Sequence, residues 1–449
     1  MIRFFRGVAL ALMLVPSMTP AQDFDAGLAA AQAGDFATAL REWTPLAEQG
    51  GVVAQYTPGI MYDQGQGVPQ DYAEAVKWYR LAAEQGHAQA QYNLGTMYDQ
   101  SRGVPQDYTE AVKWYRLAAD QGHADAQRKL GFMIASGSGV PQDLAEAVKW
   151  FRLSAEQGND LAQGSLALFY KVGEGVPQDL AEAVKWFRLS AEQGNDLAQG
   201  SLGVMYENGE GVLQDLAEAV KWYRLAALQG YPPAQYKLGF MYEAGRGVPQ
   251  DYAEAVKWYR LTALQGDALA QTSLGRMHKD GRGVPQDDVK AASWYRLAAE
   301  QGDARGQAFL GTMYEAGRGV PQDDAETVKW YRLAAEQGDA LAQNNLGSMY
   351  GAGRGVPHSD AEAVTWYRLA AEQGAAYAQN NLGLMYEAGR GVPQNYTEAH
   401  IWFNLSAANS FPGALGLRDR AAAKMTPAGL SEAQRRAKEC MASAYQDCD

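Results

Sequence analysis

Apolar and polar residues alternate along this chain with two superposed rhythms, one short enough to describe a helix and one long enough to describe a pair of helices. In residues 71 to 86, DYAEAVKWYRLAAEQG, Ala75, Trp78, Tyr79 and Ala82 stand three or four apart, which predicts an amphipathic helix with one buried face. Asp71 with Glu74 three residues on has the arrangement of a capping box, with Asp in the serine role. Gly86 supplies a residue free to take positive φ after the last turn, and Arg80 lies toward the negative end of the helix dipole. In residues 88 to 100, AQAQYNLGTMYDQ, a second stripe runs through Ala90, Leu94, Met97 and Tyr98, while the small Ala90 and Gly95 leave room for a neighbouring backbone. Gly-Val-Pro at 103 to 105 stops this helix, because proline disfavours helical geometry in the residue before it.

The 36-residue unit from 71 to 106 then recurs. Valine returns every 36 residues from Val68 to Val392, nearly always within Gly-Val-Pro, and tryptophan does so from Trp78 to Trp402. Trp43, one residue out of step, makes eleven. Neither helix of a unit can bury its apolar side alone, so the period predicts an all-α solenoid of about eleven helix pairs, each touching only its neighbours. A buried tryptophan removes on the order of 200 Å² from water, an upper gain of about 5 kcal/mol, so the tryptophans are expected to dominate stability. The pattern departs from itself at its ends. Pro58 replaces the helix leucine, predicting a kinked or shortened helix, and residues 22 to 50 read as an N-terminal helix pair with Trp43 in the second. After Phe411 the period stops, and residues 425 to 446 read as a polar capping helix begun near Thr426 and Pro427.

The order Ala-x-x-x-Leu-Gly-x-x-Tyr, Gly-x-Gly-Val, Asp, Ala-x-x-Trp-Tyr and Ala-Ala-x-Gln-Gly, seen with substitutions at 90 to 98, 245 to 248 and 251 to 266, resembles the Sel-1-like repeat, a relative of the tetratricopeptide repeat. The resemblance covers roughly residues 24 to 411 and implies a right-handed α/α superhelix acting as an adaptor, with bacterial members often periplasmic or secreted. The chain thus divides into a leader at 1 to 21, a capping helix pair at 22 to 51, ten repeats at 52 to 411, and a C-terminal capping helix at 412 to 449 that carries both cysteines.

The leader is read as a signal peptide because Arg3 and Arg6 precede the apolar run VALALMLV and the small-residue end Thr19-Pro20-Ala21, with cleavage expected after Ala21. The run is too short to span a bilayer, so a periplasmic or secreted protein without membrane insertion is expected. Cleavage would remove two of the 39 basic residues and none of the 52 acidic ones, taking the net charge from −13 to −15. Such a balance argues against nucleic acid as a partner, which rewards a positive footprint. In an oxidising compartment Cys440 and Cys448 can bridge, and their spacing suits a staple better than the redox Cys-x-x-Cys.

Catalytic signatures are missing. The paired-histidine zinc motif, the phosphate-binding loop and the Gly-x-Ser-x-Gly elbow do not occur, so no cofactor, metal or catalytic residue is assigned. A cysteine-rich branch of the resembling family carries a β-lactamase label, but no serine here has lysine three residues later. A cell-wall or β-lactam hydrolase is therefore the minor alternative to a non-enzymatic scaffold. His87 and His123, one period apart, read as a surface pair; Asp251 and Glu254 read as helix caps and the GRGV at 245 to 248 as an interhelical turn.

Residues identical in every unit serve packing, since one ligand does not need the same side chain ten times. Residues 139 to 166 and 175 to 202 are identical over 28 positions, which marks a duplicated stretch. Variation concentrates at the positions equivalent to 89, 92, 93 and 96, which share one helix face; in related superhelices that helix lines the concave side. Across the middle of the array this stripe presents Tyr92, Arg128, Phe132, Leu161, Leu168, Leu197, Val204, Tyr236, Phe240 and Arg276. Aromatic and arginine side chains on such a face anchor a protein or peptide partner, unless they pack between repeats; both readings are carried forward.

Overall fold

The computed structural model describes residues 20 to 445 and Cys448. The expected signal peptide at 1 to 21 lies outside the described residues, save for the backbone of its last two. Regular structure among the described residues is helical throughout, 24 helices without a strand, most of them packed chiefly on sequence neighbours within the same compact unit. The chain is an α/α solenoid. It falls into two compact units, one reaching to Asp215 and one from Leu216 onward, built on one plan.

In the first unit the pair Pro20–Gln32 and Phe36–Glu48 precedes four complete pairs, from Val52–Gln64 with Tyr72–Glu84 to Asp160–Val172 with Leu180–Glu192, and the single helix Asp196–Asn208. The second opens on Leu216–Leu228 and holds five complete pairs, from Pro232–Ala244 with Tyr252–Leu264 to Ala376–Ala388 with Tyr396–Ala408, before Ala414–Ala422 and Pro427–Ala442. Helices of the Ala88–Asp99 type are here termed leading and those of the Tyr72–Glu84 type trailing. Val52–Gln64 keeps 13 residues despite Pro58, so the expected shortening does not occur. The proline ring is itself buried where other repeats place leucine, and it removes a single backbone donor.

Most trailing helices start on an aspartate cap, replaced by Ser359 and Asn395 in the last two. Asp71 accepts hydrogen bonds from the N–H groups of Ala73 and Glu74 at 2.9 and 3.0 Å. The reciprocal half of the expected capping box is not made: the Asp71 N–H donates instead to the Tyr62 carbonyl at 2.9 Å, and Glu74 pairs with Lys77. The cap thereby ties a trailing helix to the leading helix before it. Arg80 likewise reaches across, bonding the Tyr98 hydroxyl and lying 5.9 Å over its ring.

The turn between the two helices sets how closely neighbours stack. In Gly245-Arg246-Gly247 both glycines are left-handed, with φ of 65° and 71°. A Cβ on Gly247 would stand 2.2 Å from the Leu216 carbonyl oxygen, at the start of the preceding trailing helix, so the backbones meet there without room for a side chain. Gly95, expected to admit a backbone, mainly admits a ring instead: its Cβ would lie 2.8 Å from Tyr115.

That ring belongs to the residue that fills the core. Tyr79, Tyr115, Tyr259, Tyr295 and Tyr331, each one place after a tryptophan, are fully buried. The tryptophans divide: Trp43 and Trp402 are fully buried, Trp114, Trp222 and Trp330 nearly so, and the others half-buried at the edges of the clusters. The expectation that tryptophan dominates is therefore corrected, because a step of one residue turns the side chain by about 100° around the helix and only the tyrosine points between the pairs.

Polar groups follow the same period. Gln91 is buried; its amide donates to the Ala83 carbonyl of the preceding repeat at 3.0 Å and its oxygen accepts from Gln121, at the end of the next trailing helix, at 2.7 Å. The same relay joins Gln157 to Gln127, Gln193 to Gln163, Gln265 to Gln235, Gln301 to Gln271, Gln337 to Gln307 and Gln373 to Gln343, always 30 residues apart. Asn409 takes the donor's place against Gln379 at 3.0 Å, and its own oxygen accepts from Tyr445 at 2.9 Å. A disulfide between Cys440 and Cys448 closes the tail beside this contact, and Arg436 donates to the Cys448 carbonyl at 3.2 Å.

The two glycine classes predict different costs. Gly247→Ala should destabilise by about 3 kcal/mol because backbone must move, whereas Gly266→Ala, with φ of +96° but nothing within 4 Å, should lose only about 1 kcal/mol of conformational strain. Urea midpoints of the two variants, compared with the parent chain, measure the difference.

Candidate protein-binding surface

On the leading helix Ala88–Asp99, residues 90, 91, 94, 95 and 97 turn inward, leaving positions 89, 92, 93 and 96 to the outer face. The expected stripe divides by exposure. Phe132, Leu161, Leu168, Leu197 and Phe240 are 37 to 59% exposed. Tyr92, Arg128, Val204, Tyr236 and Arg276 are half-buried.

Several half-buried members pack between helices. Tyr92 stacks on His123 at 4.9 Å and leans on Tyr115 at 5.8 Å, and Tyr236 leans on Tyr259 at 5.6 Å. Arg276 donates to Glu243 at 2.6 Å, and Glu243 also accepts from the Tyr259 hydroxyl at 2.8 Å. Asp99 plays the same part in the first unit, accepting from Tyr115 at 3.2 Å and Lys129 at 3.1 Å. A carboxylate shared by a buried phenol and a cation is thus a recurrent joint between repeats. Burial first, and the neighbouring Glu243 second, push the Tyr259 phenol far above its ordinary range, so it remains a neutral donor.

In two repeats the acceptor and the tyrosine are lost together. Ala135 and Lys171 occupy the acidic position, and the matching core residues are Phe151 and Phe187. Two repeats keep the tyrosine without the acid: Lys279 stands at the acidic position before Tyr295, whose buried hydroxyl has no hydrogen-bond partner, and Gly351 at that before Tyr367, whose hydroxyl meets Ser348 at 3.1 Å instead.

In the second unit the stripe encloses a cavity of about 320 Å³, lined among others by Tyr236, Phe240, Tyr259, Arg276, Phe309 and Leu341. Phe309 and Leu341 were not singled out from the sequence, although they stand at the positions equivalent to 93 and 89; following the stripe two repeats further would have found them.

His87 and His123 are not a loose surface pair. Each is half-buried and caps a leading helix through Nδ1, which accepts from Ala90 N–H at 3.1 Å and Ala126 N–H at 3.2 Å. The remaining nitrogen of His123 meets Gln89 at 2.9 Å. Among the described residues no group of three or more His, Cys, Asp or Glu side chains is placed to hold a metal ion, and no helix is long and apolar enough to cross a membrane.

These features define a helix-pair solenoid whose invariant residues are consumed in packing and whose variable residues line an outer stripe. The Sel1 repeat matches ten consecutive segments, from residues 52–87 to residues 376–411, and the chain belongs to that family. The helix pair before residue 52 lies outside the match. Among solved structures, c5321, a protective antigen present in uropathogenic Escherichia coli strains and displaying an SLR fold, is 36% identical, with a TM-score of 0.65 over 90% of this chain and 96% of its own. A Sel1 repeat protein from Oxalobacter formigenes is 34% identical, with a TM-score of 0.54 over 76% of this chain and 99% of its own. No curated protein matches. Sel1 repeat proteins are generally protein-interaction scaffolds.

Tyr259→Phe should cost about 2 kcal/mol by removing a donor to a charged acceptor, whereas Tyr295→Phe should be neutral or slightly stabilising; chemical denaturation of the two variants checks the contrast. Burial holds the His87 and His123 imidazoles below their ordinary value of 6.5. The unfolded chain therefore takes up protons first, so their stabilising contribution is complete above that value and is lost as pH falls through the lowered folded values. His87→Asn with His123→Asn, copying Asn159 and Asn195 at the equivalent caps, should flatten the fall in thermal midpoint between pH 7.5 and 5.0.

Proposed function

We propose that this chain is an exported, non-enzymatic scaffold that binds a segment of another protein on the face of its leading helices, the concave side in related superhelices. In this reading residues 1 to 21 are a signal peptide cleaved after Ala21, and the flanking elements at 22 to 51 and 412 to 449 cap the array. The observation that carries the proposal is the variable stripe itself: Phe132, Leu161, Leu168, Leu197 and Phe240 hold apolar surface in water, although the repeat has buried positions for its other large side chains. The cavity bounded by Phe240, Arg276 and Leu341 adds a recess in which a partner side chain is desolvated. Export is supported by the basic, apolar and small-residue order of the leader, and by the 36% identical protective antigen, a description that fits a protein presented outside the cytoplasm. The place of action is the periplasm or the exterior, in envelope signalling or contact with a host.

The test is affinity capture from cell-envelope extract with residues 22 to 449, followed by mass spectrometry and titration of the recovered partner. Phe240→Ala with Leu341→Ala should weaken that partner at least about tenfold while far-ultraviolet circular dichroism stays unchanged. Leu261→Ala with Leu297→Ala, exposed on trailing helices, should bind as the parent does. Equal loss in both variants would overturn the assignment of the binding face, and turnover of a cell-wall fragment would overturn the non-enzymatic reading.

A further inference from the structure

Two basic residues of the leading helices break the pattern of their own positions. At the position equivalent to 96 the repeats carry residues such as Phe132, Leu168, Phe240 and Leu384, and a basic side chain occurs there once, as Arg276. At the position equivalent to 89, where Leu161, Leu269, Leu341 and Tyr377 stand, a basic side chain also occurs once, as Arg305. Both arginines line the cavity of about 320 Å³ in the second unit. Repeat packing elsewhere needs no cation at either place, so their convergence on one recess has another cause.

The acids around that recess are already engaged. Glu243 accepts from Arg276 at 2.6 Å and from the Tyr259 hydroxyl at 2.8 Å. Asp303 accepts from the Thr272 hydroxyl at 2.8 Å and from the Gly306 N–H at 2.6 Å, and Asp339 accepts from the Ala342 N–H at 2.8 Å. Donors, by contrast, are left over. Arg305 has no ion pair or hydrogen bond among the described residues, and Arg276 commits a single terminal nitrogen, to Glu243. Ser273 lines the cavity and is only 9% exposed, yet its hydroxyl has no partner among the described residues. Ser165, at the equivalent position, bonds back to the Leu161 carbonyl at 2.9 Å. A hydroxyl so nearly buried is ordinarily satisfied. What the recess lacks is an acceptor, and a carboxylate answers two guanidinium groups and a hydroxyl together.

The rest of the wall is apolar. Phe240, Phe309 and Leu341 face the same space, and Lys279, itself without an ion pair among the described residues, lies 5.8 Å over the Phe309 ring. The volume stands at the small end of ligand pockets, roughly 300 to 1,000 Å³, so it admits one large side chain and its polar group rather than a folded segment.

We propose that this cavity takes a carboxylate joined to a large apolar side chain, with the carboxylate against Arg305, Arg276 and Ser273 and the apolar part against Phe240, Phe309 and Leu341. The proposal rests on the scaffold reading in drawing this group from a partner protein. A protein offers it in two forms, the free C-terminus of a chain ending in a large apolar residue, or an acidic side chain beside one.

The probes are fluorescein-labelled short peptides titrated with the full chain by fluorescence anisotropy: one ending in Phe as the free acid and as the amide, and one with internal Glu-Phe or Gln-Phe and an amide end. In at least one pair the acid should bind about tenfold more tightly than its neutral counterpart; the first pair places the group at a chain end, the second on a side chain. Replacing the Phe of the preferred peptide by Ser should abolish saturable binding. The preference for the acid should fall about tenfold in Arg305→Gln and about threefold in Ser273→Ala, while Arg260→Gln, an exposed cation on a trailing helix, should bind as the parent does. Equal binding of acid and neutral peptide in both pairs, a preference unchanged in both cavity variants, or equal loss in Arg260→Gln would overturn the proposal. An envelope partner that binds Arg305→Gln as tightly as the parent chain would overturn it while the scaffold reading stands. Recovery of no envelope partner, with the peptide preference intact, would remove the scaffold reading and leave the carboxylate site.

Discussion

Thirteen-residue helices are too short to be stable alone, and each ends in carbonyl groups that need donors from elsewhere. The close seating of each glycine turn on the helix start before it answers the first problem. At Gly247 the turn backbone touches the Leu216 carbonyl region so closely that no side chain fits, and this contact fixes the distance at which the tyrosine and glutamine of a repeat meet their partners. Once that spacing is set, Gln91 bonds the Ala83 carbonyl and passes its oxygen to Gln121, so a buried amide becomes a satisfied link between repeats. The tyrosine joint works alike: the buried phenol has its acceptor in the carboxylate of the leading helix it packs against, and substitution of that carboxylate goes with phenylalanine at positions 151 and 187.

The same economy explains where function can reside. Alanine, leucine, glycine and methionine on the inner side of each leading helix, with glutamine and tyrosine, are occupied by packing in every repeat, so they carry no information about a ligand. The outer stripe is released from that duty only in part. Tyr92 and Arg276 still serve the joints between repeats, while Phe132, Leu161 and Leu168 serve none that buries them. A repeat scaffold acquires specificity by varying such positions without disturbing the stack.

Much of this was legible in the amino-acid order. The 36-residue period, the aspartate caps, the glycine stops and the changed chemistry at both ends are local signals, each dictated by what a single helix or turn needs, and they define the family and the helix pairs. The outer stripe was legible too, because residues spaced by three and four share a helix face. Tertiary structure alone decided that Tyr79 rather than Trp78 fills the core, that Gln91 is buried, that the Asp71 N–H turns to Tyr62 rather than to Glu74, and that Leu161 is more exposed than Tyr92. Each of these depends on partners elsewhere in the chain, from Ala83 for Gln91 to His123 for Tyr92, and the presence of such a partner is set by how the repeats stack rather than by any preference of the segment itself.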